Sequence, residues 1–278
     1  MNTDIKLVAL DLDRTTLNSE SHLSEVNRQA LIDAISNGVH VCIASGRAFD
    51  TLPEDIISVP GIEYAITSNG AAIYRIAGKE CLKSYLLTPS SVKTILNLTA
   101  NDTVTYEAFI KGQAFASTEY IRHPEKYGAT EHSLAYVRKT RILKDDIVSF
   151  ILEHCHELDS LDIVVGNEEL KKNIMDRIRN ATDEVYMTSS ISQLLEISYK
   201  DAGKKSGVKF LTEYLGLSRE NVAAFGDADN DTDMIEYAGT GIAMENAAPH
   251  LKQIADHITL HHDKDGVAYA FRNILNIC

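Results

Sequence analysis

The chain has 278 residues and a formal net charge of −13, from 27 Lys plus Arg against 40 Asp plus Glu. With 44% hydrophobic and 24% charged residues it is too apolar for a disordered chain, and it is long enough for one large domain or two modest ones. The negative surplus repels phosphate backbones and anionic membrane surfaces, so neither nucleic acid nor a membrane is an expected partner, and no obligate protein partner is indicated.

Residues 5–10 (Ile-Lys-Leu-Val-Ala-Leu) form a short apolar run ending in Asp11-Leu12-Asp13, which predicts a buried strand that delivers acids at its C-terminal end. Leu23, Val26, Ala30, Leu31, Ala34 and Ile35 then recur at helical spacing, with Gly38 as a stop. Val39 to Ala44 predicts a second strand closed by Ser45-Gly46-Arg47, and Tyr64 to Thr67 a third that runs into Ser68-Asn69-Gly70. This alternation implies an α/β fold with a parallel sheet. Between about 84 and 190 the pattern shifts to mixed short strands and helices, such as the amphipathic stretch Ile147, Val148, Ile151, Leu152, Cys155, which reads as a second domain inserted into the first. The α/β rhythm then returns with a strand at Val222 to Phe225, a helix at Met234 to Ala238, a strand at Gly241 to Met244 and a helix at Pro249 to Ala255.

Four cysteines, Cys42, Cys81, Cys155 and Cys278, are scattered without a C-x-x-C pair, against a zinc knuckle or disulfide framework and in keeping with a reducing cytoplasm. The first residues lack the basic start and apolar stretch of a signal peptide, which carries the same cytoplasmic expectation. No apolar run approaches the roughly 20 residues of a membrane helix.

Alone, Asp11-Leu12-Asp13 is compatible with a solvated turn as well as a ligand site. A second cluster adds weight. Four Asp fall within 227 to 233 with no basic residue among them, and their mutual repulsion calls for a cation, with Mg²⁺ the natural hard metal. Ser45-Gly46 offers a hydroxyl and open backbone N–H groups to an anion, or simply turns the chain. Lys204 opens the helix carrying Val208, Leu211 and Leu215, where the helix dipole is already positive, so something negative is expected beside it.

In this order, Asp-x-Asp-x-Thr at 11–15, Ala-Ser-Gly-Arg at 44–47, Lys204 and Gly-Asp-x-x-Asn-Asp at 226–231 resemble the four motifs of the haloacid dehalogenase superfamily, across the whole chain. Ser68-Asn69-Gly70-Ala71 and Ala243-Met244-Glu245-Asn246-Ala247 are similar to patterns of its Cof-type phosphatases. That resemblance implies a doubly wound, Rossmann-like parallel sheet formed by residues 1–83 and 191–278, with an inserted α+β cap at 84–190. It implies a Mg²⁺-dependent phosphomonoesterase acting on a small phosphorylated metabolite, a sugar phosphate or phosphorylated cofactor, through an aspartyl-phosphate. Phosphomutase or phosphotransferase chemistry, and a non-catalytic metabolite-binding regulator, are the alternatives.

Carried over by motif, Asp11 is the implied nucleophile and Asp13 the implied acid and base. The metal ligands would be Asp11, the backbone carbonyl of Asp13, and Asp227, with Asp231 acting from behind them. Ser45, Lys204, Asn230 and the N–H groups of Leu12 and Gly46 would hold the phosphoryl oxygens. Two positions depart from the family pattern. Arg14 stands where glycine is usual, either reaching a substrate anion or pointing to solvent, and Lys205 stands after the motif lysine where glycine is frequent. His154-Cys155-His156 and His261-His262 supply too few ligands for a transition metal and read as surface histidines, Cys42 reads as core, and no dinucleotide or P-loop fingerprint occurs.

Overall fold

The apolar run at the start of the chain becomes β1 (Leu7–Leu10), all four residues of which are buried, as a strand covered on both faces requires. The structure is a computed structural model that describes residues 4–128 and 131–278. After β1 come β2 (His40–Ala44), β3 (Tyr64–Thr67), β4 (Ala72–Arg75) and β5 (Glu80–Ser84). Next in the chain are β6 (Val104–Ile110), β7 (Gln113–Ser117), β8 (Ile142–Lys144), β9 (Ser160–Val165), β10 (Val185–Thr188) and β11 (Leu194–Tyr199). The last strands are β12 (Val222–Gly226), β13 (Thr240–Ala243) and β14 (His257–Ile258).

An eight-stranded sheet has the order β14-β13-β12-β1-β2-β3-β4-β5. The pairs from β14 to β3 are parallel, and β3 with β4 is antiparallel. The chain builds outward from β1 through β2 and β3, then returns to the other side of β1 with β12, so the sheet is doubly wound and its order reverses between β1 and β12. An open α/β sheet places its ligand crevice beyond the C-terminal strand ends at such a switch point, and Asp11 and Asp227 are the residues that leave β1 and β12 there. The helix after β1, Glu25–Ser36, starts behind Ser24, whose hydroxyl accepts the Asn27 N–H at 3.0 Å, and it buries Ala30, Leu31 and Ala34.

A second, six-stranded sheet has the order β10-β11-β9-β6-β7-β8, antiparallel except for β7 with β8. On one of its faces Tyr106, Ile163, Leu195 and Ile197 pack with Val92, Ile95, Ile151, Ile174 and Ile178 of three helices, Pro89–Thr99, Ile147–Glu153 and Glu168–Ala181. The ladder also sets Glu107 opposite Asp162 and Asp162 opposite Glu196, all three buried, with Arg141 Nε donating to Glu107 Oε2 at 2.6 Å.

Two compact units result: residues 1–47, 52–83 and 203–278, and residues 48–51 with 84–202. Residues 191–202, which the sequence assigned to the first unit, belong with the second, because β11 is built into its sheet between β9 and β10. Ala48–Thr51 joins it too, through the Asp50 N–H to the Gly112 carbonyl at 2.8 Å and the packing of Ala48 with Phe109 and Ala114.

The turn after β3 brings two backbones into contact. Ser68, Asn69 and Gly70 all have positive φ (49°, 51° and 88°), and the Gly203 N–H donates to the Asn69 carbonyl at 3.0 Å. A β-carbon on Gly70 would overlap the Gly203 carbonyl, directly before the helix Lys204–Tyr214. Gly38 also has positive φ, at 84°, but opens onto empty space. Gly38→Ala should therefore cost about 1–2 kcal/mol of stability, the left-handed penalty alone, and Gly70→Ala clearly more, in urea unfolding. Equal losses would show that the Gly70–Gly203 contact imposes no constraint.

Candidate active site

Lys204 is completely buried at the start of its helix, where an unpaired ammonium would be prohibitively costly. Its Nζ donates to Asp11 Oδ1 at 2.7 Å and to Asp231 Oδ1 at 2.6 Å. Burial works to lower the Lys204 pKa, but the charges of Asp11 and Asp231 outweigh it and hold the group above its ordinary value, so it is charged. The neighbouring Lys205 is exposed, which settles which lysine enters the site.

Asp231 is the hub beneath this pair. Its second oxygen accepts the N–H groups of Asp227 and Ala228 at 2.9 and 3.0 Å, curling the loop after β12 back on itself. Gly226 makes room for the curl, since a β-carbon there would strike the Asp231 side chain. Asp227 in turn accepts from Thr15 at 3.4 Å through Oδ1, and from Asn246 Nδ2 at 3.3 Å through Oδ2. Asp11, Asp227 and Asp231 are all buried, and each offers an oxygen within 4.8 Å of the others.

Three buried carboxylates against one lysine leave a deficit of positive charge. Burial, then the charge of Asp231, pushes Asp227 from its ordinary 3.8 up to about 7, although Arg14, Lys204 and Thr15 pull the other way. Asp11 is likewise raised, by burial first and Asp231 second, against Lys204. Because Asp231 spends both oxygens on Lys204 and backbone N–H groups, Asp11 and Asp227 are better placed to meet a cation. This oxygen-only donor set suits a hard divalent ion such as Mg²⁺.

The four acids counted between 227 and 233 do not act as one group. Asp229 is exposed and lies 3.3 Å from His250, while Asp233, pushed up to about 6 by burial, accepts the backbone N–H of Lys205. Asp13 also stands apart from the buried acids. It is half exposed, and Arg47 grips both its oxygens, Nη2 to Oδ1 at 2.6 Å and Nε to Oδ2 at 2.9 Å. No role was read for Arg47 from the sequence, although the bidentate fit of guanidinium to carboxylate is the strongest pairing available to Asp13. Leu12 and Ser45 are buried next to these strand ends, the Ser45 hydroxyl accepting the Arg47 N–H at 3.2 Å, and Gly46 lies between them in sequence. Asn230 is buried and donates from Nδ2 to Asn69 Oδ1 at 3.0 Å, leaving one amide hydrogen; its Oδ1 has no hydrogen-bond partner among the described residues.

Arg14 adopts φ 62°, the left-handed conformation usual for glycine, and its Nε lies 3.7 Å from Asp227 Oδ2. Asn246, read from the sequence only as part of a pattern, joins three segments: its Nδ2 donates to the Arg14 carbonyl at 2.8 Å as well as to Asp227, and its Oδ1 accepts the His262 N–H at 3.2 Å. His262 is buried, not a surface histidine as expected, with Nδ1 3.2 Å from the Leu17 carbonyl. His261 and Asp263 lie within ligand distance of it, but the His261 ring already accepts the Asp263 N–H. Cys42 is core, its thiol pushed up to about 12 by burial. Among the described residues, no helix is long and apolar enough to cross a membrane.

A family model for haloacid dehalogenase-like hydrolases matches residues 8–271. The chain is 28% identical to the 5-amino-6-(5-phospho-D-ribitylamino)uracil phosphatase YcsE of Bacillus subtilis, over 98% of this chain and 96% of that one. It is 31% identical to the phosphatase YwpJ of the same organism, over 98% and 100%. A solved haloacid dehalogenase-like hydrolase from B. subtilis superposes with a TM-score of 0.83 at 27% identity, covering 98% of this chain and 100% of that chain.

A carboxyl that binds its proton more tightly when folded contributes stability below its unfolded pKa, and that contribution is lost as pH rises through the folded value. For Asp227 the window runs from about 3.8 to about 7. Chelator-treated protein should therefore lose stability across this window, Asp227→Asn should lose less, and added Mg²⁺ should stabilise the native protein more at pH 8 than at pH 5. Urea titrations at the two pH values, with and without Mg²⁺, measure this, and identical pH slopes for native and Asp227→Asn proteins would refute it.

Proposed function

Because the chain belongs to the haloacid dehalogenase-like hydrolases and is a phosphatase of phosphorylated small molecules, we propose that it works through an aspartyl-phosphate, with Asp11 as nucleophile and Mg²⁺ as cofactor. The observation that carries this reading is the Asp11 carboxylate at the sheet's switch point, held by a buried Lys204 and backed by Asp227 and Asp231.

Lys204 fixes the orientation of the Asp11 carboxylate through Oδ1, and one carboxylate oxygen attacks phosphorus while the other would remain for the metal. The new P–O bond forms as the ester P–O bond breaks, and Asp13 donates a proton to the departing oxygen. Asp13 then takes a proton from the water that attacks the phosphoryl group, and cleavage of the aspartyl P–O bond returns Asp11 and releases inorganic phosphate. Its ion pair with Arg47 keeps the Asp13 carboxyl oriented, and one oxygen must leave Arg47 when it carries the proton. Lys204, the Ser45 hydroxyl, the remaining Asn230 amide hydrogen and the N–H groups of Leu12 and Gly46 supply hydrogen bonds to the phosphoryl oxygens. Mg²⁺, held by Asp11, Asp227 and the Asp13 carbonyl, would supply the positive charge that offsets those oxygens as phosphorus is attacked.

For the substrate we propose a sugar phosphate or a phosphorylated cofactor; the relative YcsE is named for a 5-phospho-D-ribitylamino compound. We propose no nucleic-acid, membrane or obligate protein partner, and a cytoplasmic location.

Purified protein should hydrolyse p-nitrophenyl phosphate with Mg²⁺ and stop on chelation. Asp11→Asn should lower kcat by roughly 10³-fold or more while circular dichroism stays native, and rapid quenching with labelled substrate should trap phosphate on the native protein alone. Undiminished turnover by Asp11→Asn would overturn the assignment.

A further inference from the structure

Arg14 pays a conformational penalty that glycine would avoid, and such strain persists only where the surrounding structure over-determines it. The enforcement is visible: Asn246 Nδ2 holds the Arg14 carbonyl at 2.8 Å and at the same time orients Asp227. The Arg14 side chain is 64% exposed, its one ion pair is the long 3.7 Å approach to Asp227, and it makes no side-chain hydrogen bond among the described residues. Its guanidinium donors are thus unspent at the edge of the buried acids.

Charge sharpens the point. Asp11, Asp227 and Asp231 are balanced by Lys204 and one divalent cation, so with the metal bound Arg14 is a surplus positive charge. A surplus cation beside a metal site weakens metal binding, and it becomes an asset when an anion arrives. We propose that Arg14 is a substrate-binding residue whose guanidinium takes an oxyanion of the substrate, at the expense of affinity for the divalent ion. This rests on the phosphatase reading above. The oxyanion has two possible sources, the phosphoryl group or a second anionic group on the substrate.

Calorimetric titration of Mg²⁺ alone, and of inorganic phosphate in the presence of Mg²⁺, tests the proposal on the native protein, Arg14→Gly and Arg14→Lys. For Arg14→Gly, Mg²⁺ should bind at least about fivefold more tightly, because the repulsion removed is that between a unit charge and a doubly charged ion. Arg14→Lys keeps the charge and should stay near the native Mg²⁺ value. Kinetics with phenyl phosphate and 4-carboxyphenyl phosphate locate the anion. A similar rise in KM for both esters, with weaker phosphate binding, assigns Arg14 to the phosphoryl group. A rise confined to the carboxylated ester assigns it to a second anionic group, and either result supports the proposal. Unchanged Mg²⁺ affinity together with unchanged KM for both esters in Arg14→Gly would overturn it. A melting temperature for Arg14→Gly at or above that of the native protein, as relief of the positive φ requires, shows that the variant is folded. Should the native protein hydrolyse neither ester, it is the phosphatase reading that fails, while the Mg²⁺ titration still reports on Arg14.

Discussion

The ammonium of Lys204, sealed from solvent between Asp11 and Asp231, is the interaction on which the site is assembled. A buried cation tolerates no misplacement of its partners, because losing either leaves a charge unsolvated. Each partner is accordingly fixed by backbone: Asp11 by the end of β1, Asp231 by the two N–H groups it accepts from the loop after β12, and Lys204 by a helix whose start is pressed against the turn after β3. Three remote segments of the chain are thereby held in one register, and the Asp227 carboxylate follows from that register, since its backbone N–H is one of the two that Asp231 holds.

The same arrangement leaves the buried acids short of positive charge. Lys204 neutralises one carboxylate's worth of charge, and burial together with the charge of Asp231 pushes the Asp227 carboxyl up to about 7. Away from this cluster Asp13 is ion-paired with Arg47, Asp229 lies beside His250, and Asp263 accepts from the Ser19 hydroxyl. An overall charge of −13 is therefore a poor guide to the local field, which is set by a handful of groups near the switch point.

The strands that carry the site were legible because each is a short apolar run stopped by polar or glycine residues, and the parallel order followed from the helices between them. Asp11, Lys204, Asp227 and Asp231 were legible as residue types in a motif order that the fold does bring together. Asn246 and Arg47 also stood within quoted motifs, but their roles were not legible, since these lie in hydrogen bonds to residues 232 and 34 positions away. His262 was misjudged for a related reason: its burial depends on packing beside Leu17, at the opposite end of the chain. The later boundary of the second unit was placed too early because β11 is as apolar as a core strand, and only its antiparallel pairing with β9 reveals which sheet it belongs to. Glu107, Asp162 and Glu196 show the reverse difficulty, charged residues whose burial comes from cross-strand register rather than sequence character.

The pairing of β1 with β12 has a bearing on how the molecule is made. Leu7 is matched with Val222, so a chain emerging from a ribosome exposes one flank of β1 until more than two hundred further residues have been synthesised. During that interval β1 is a fully apolar edge strand, the kind of surface that invites pairing with another chain. Closing such a distance costs entropy that grows only with the logarithm of the intervening length, about 0.6 kcal/mol per doubling. The segment between the two halves can therefore lengthen or shorten over generations at little thermodynamic cost, while the hazard it creates, time spent with an unpaired β1, grows in direct proportion to its length.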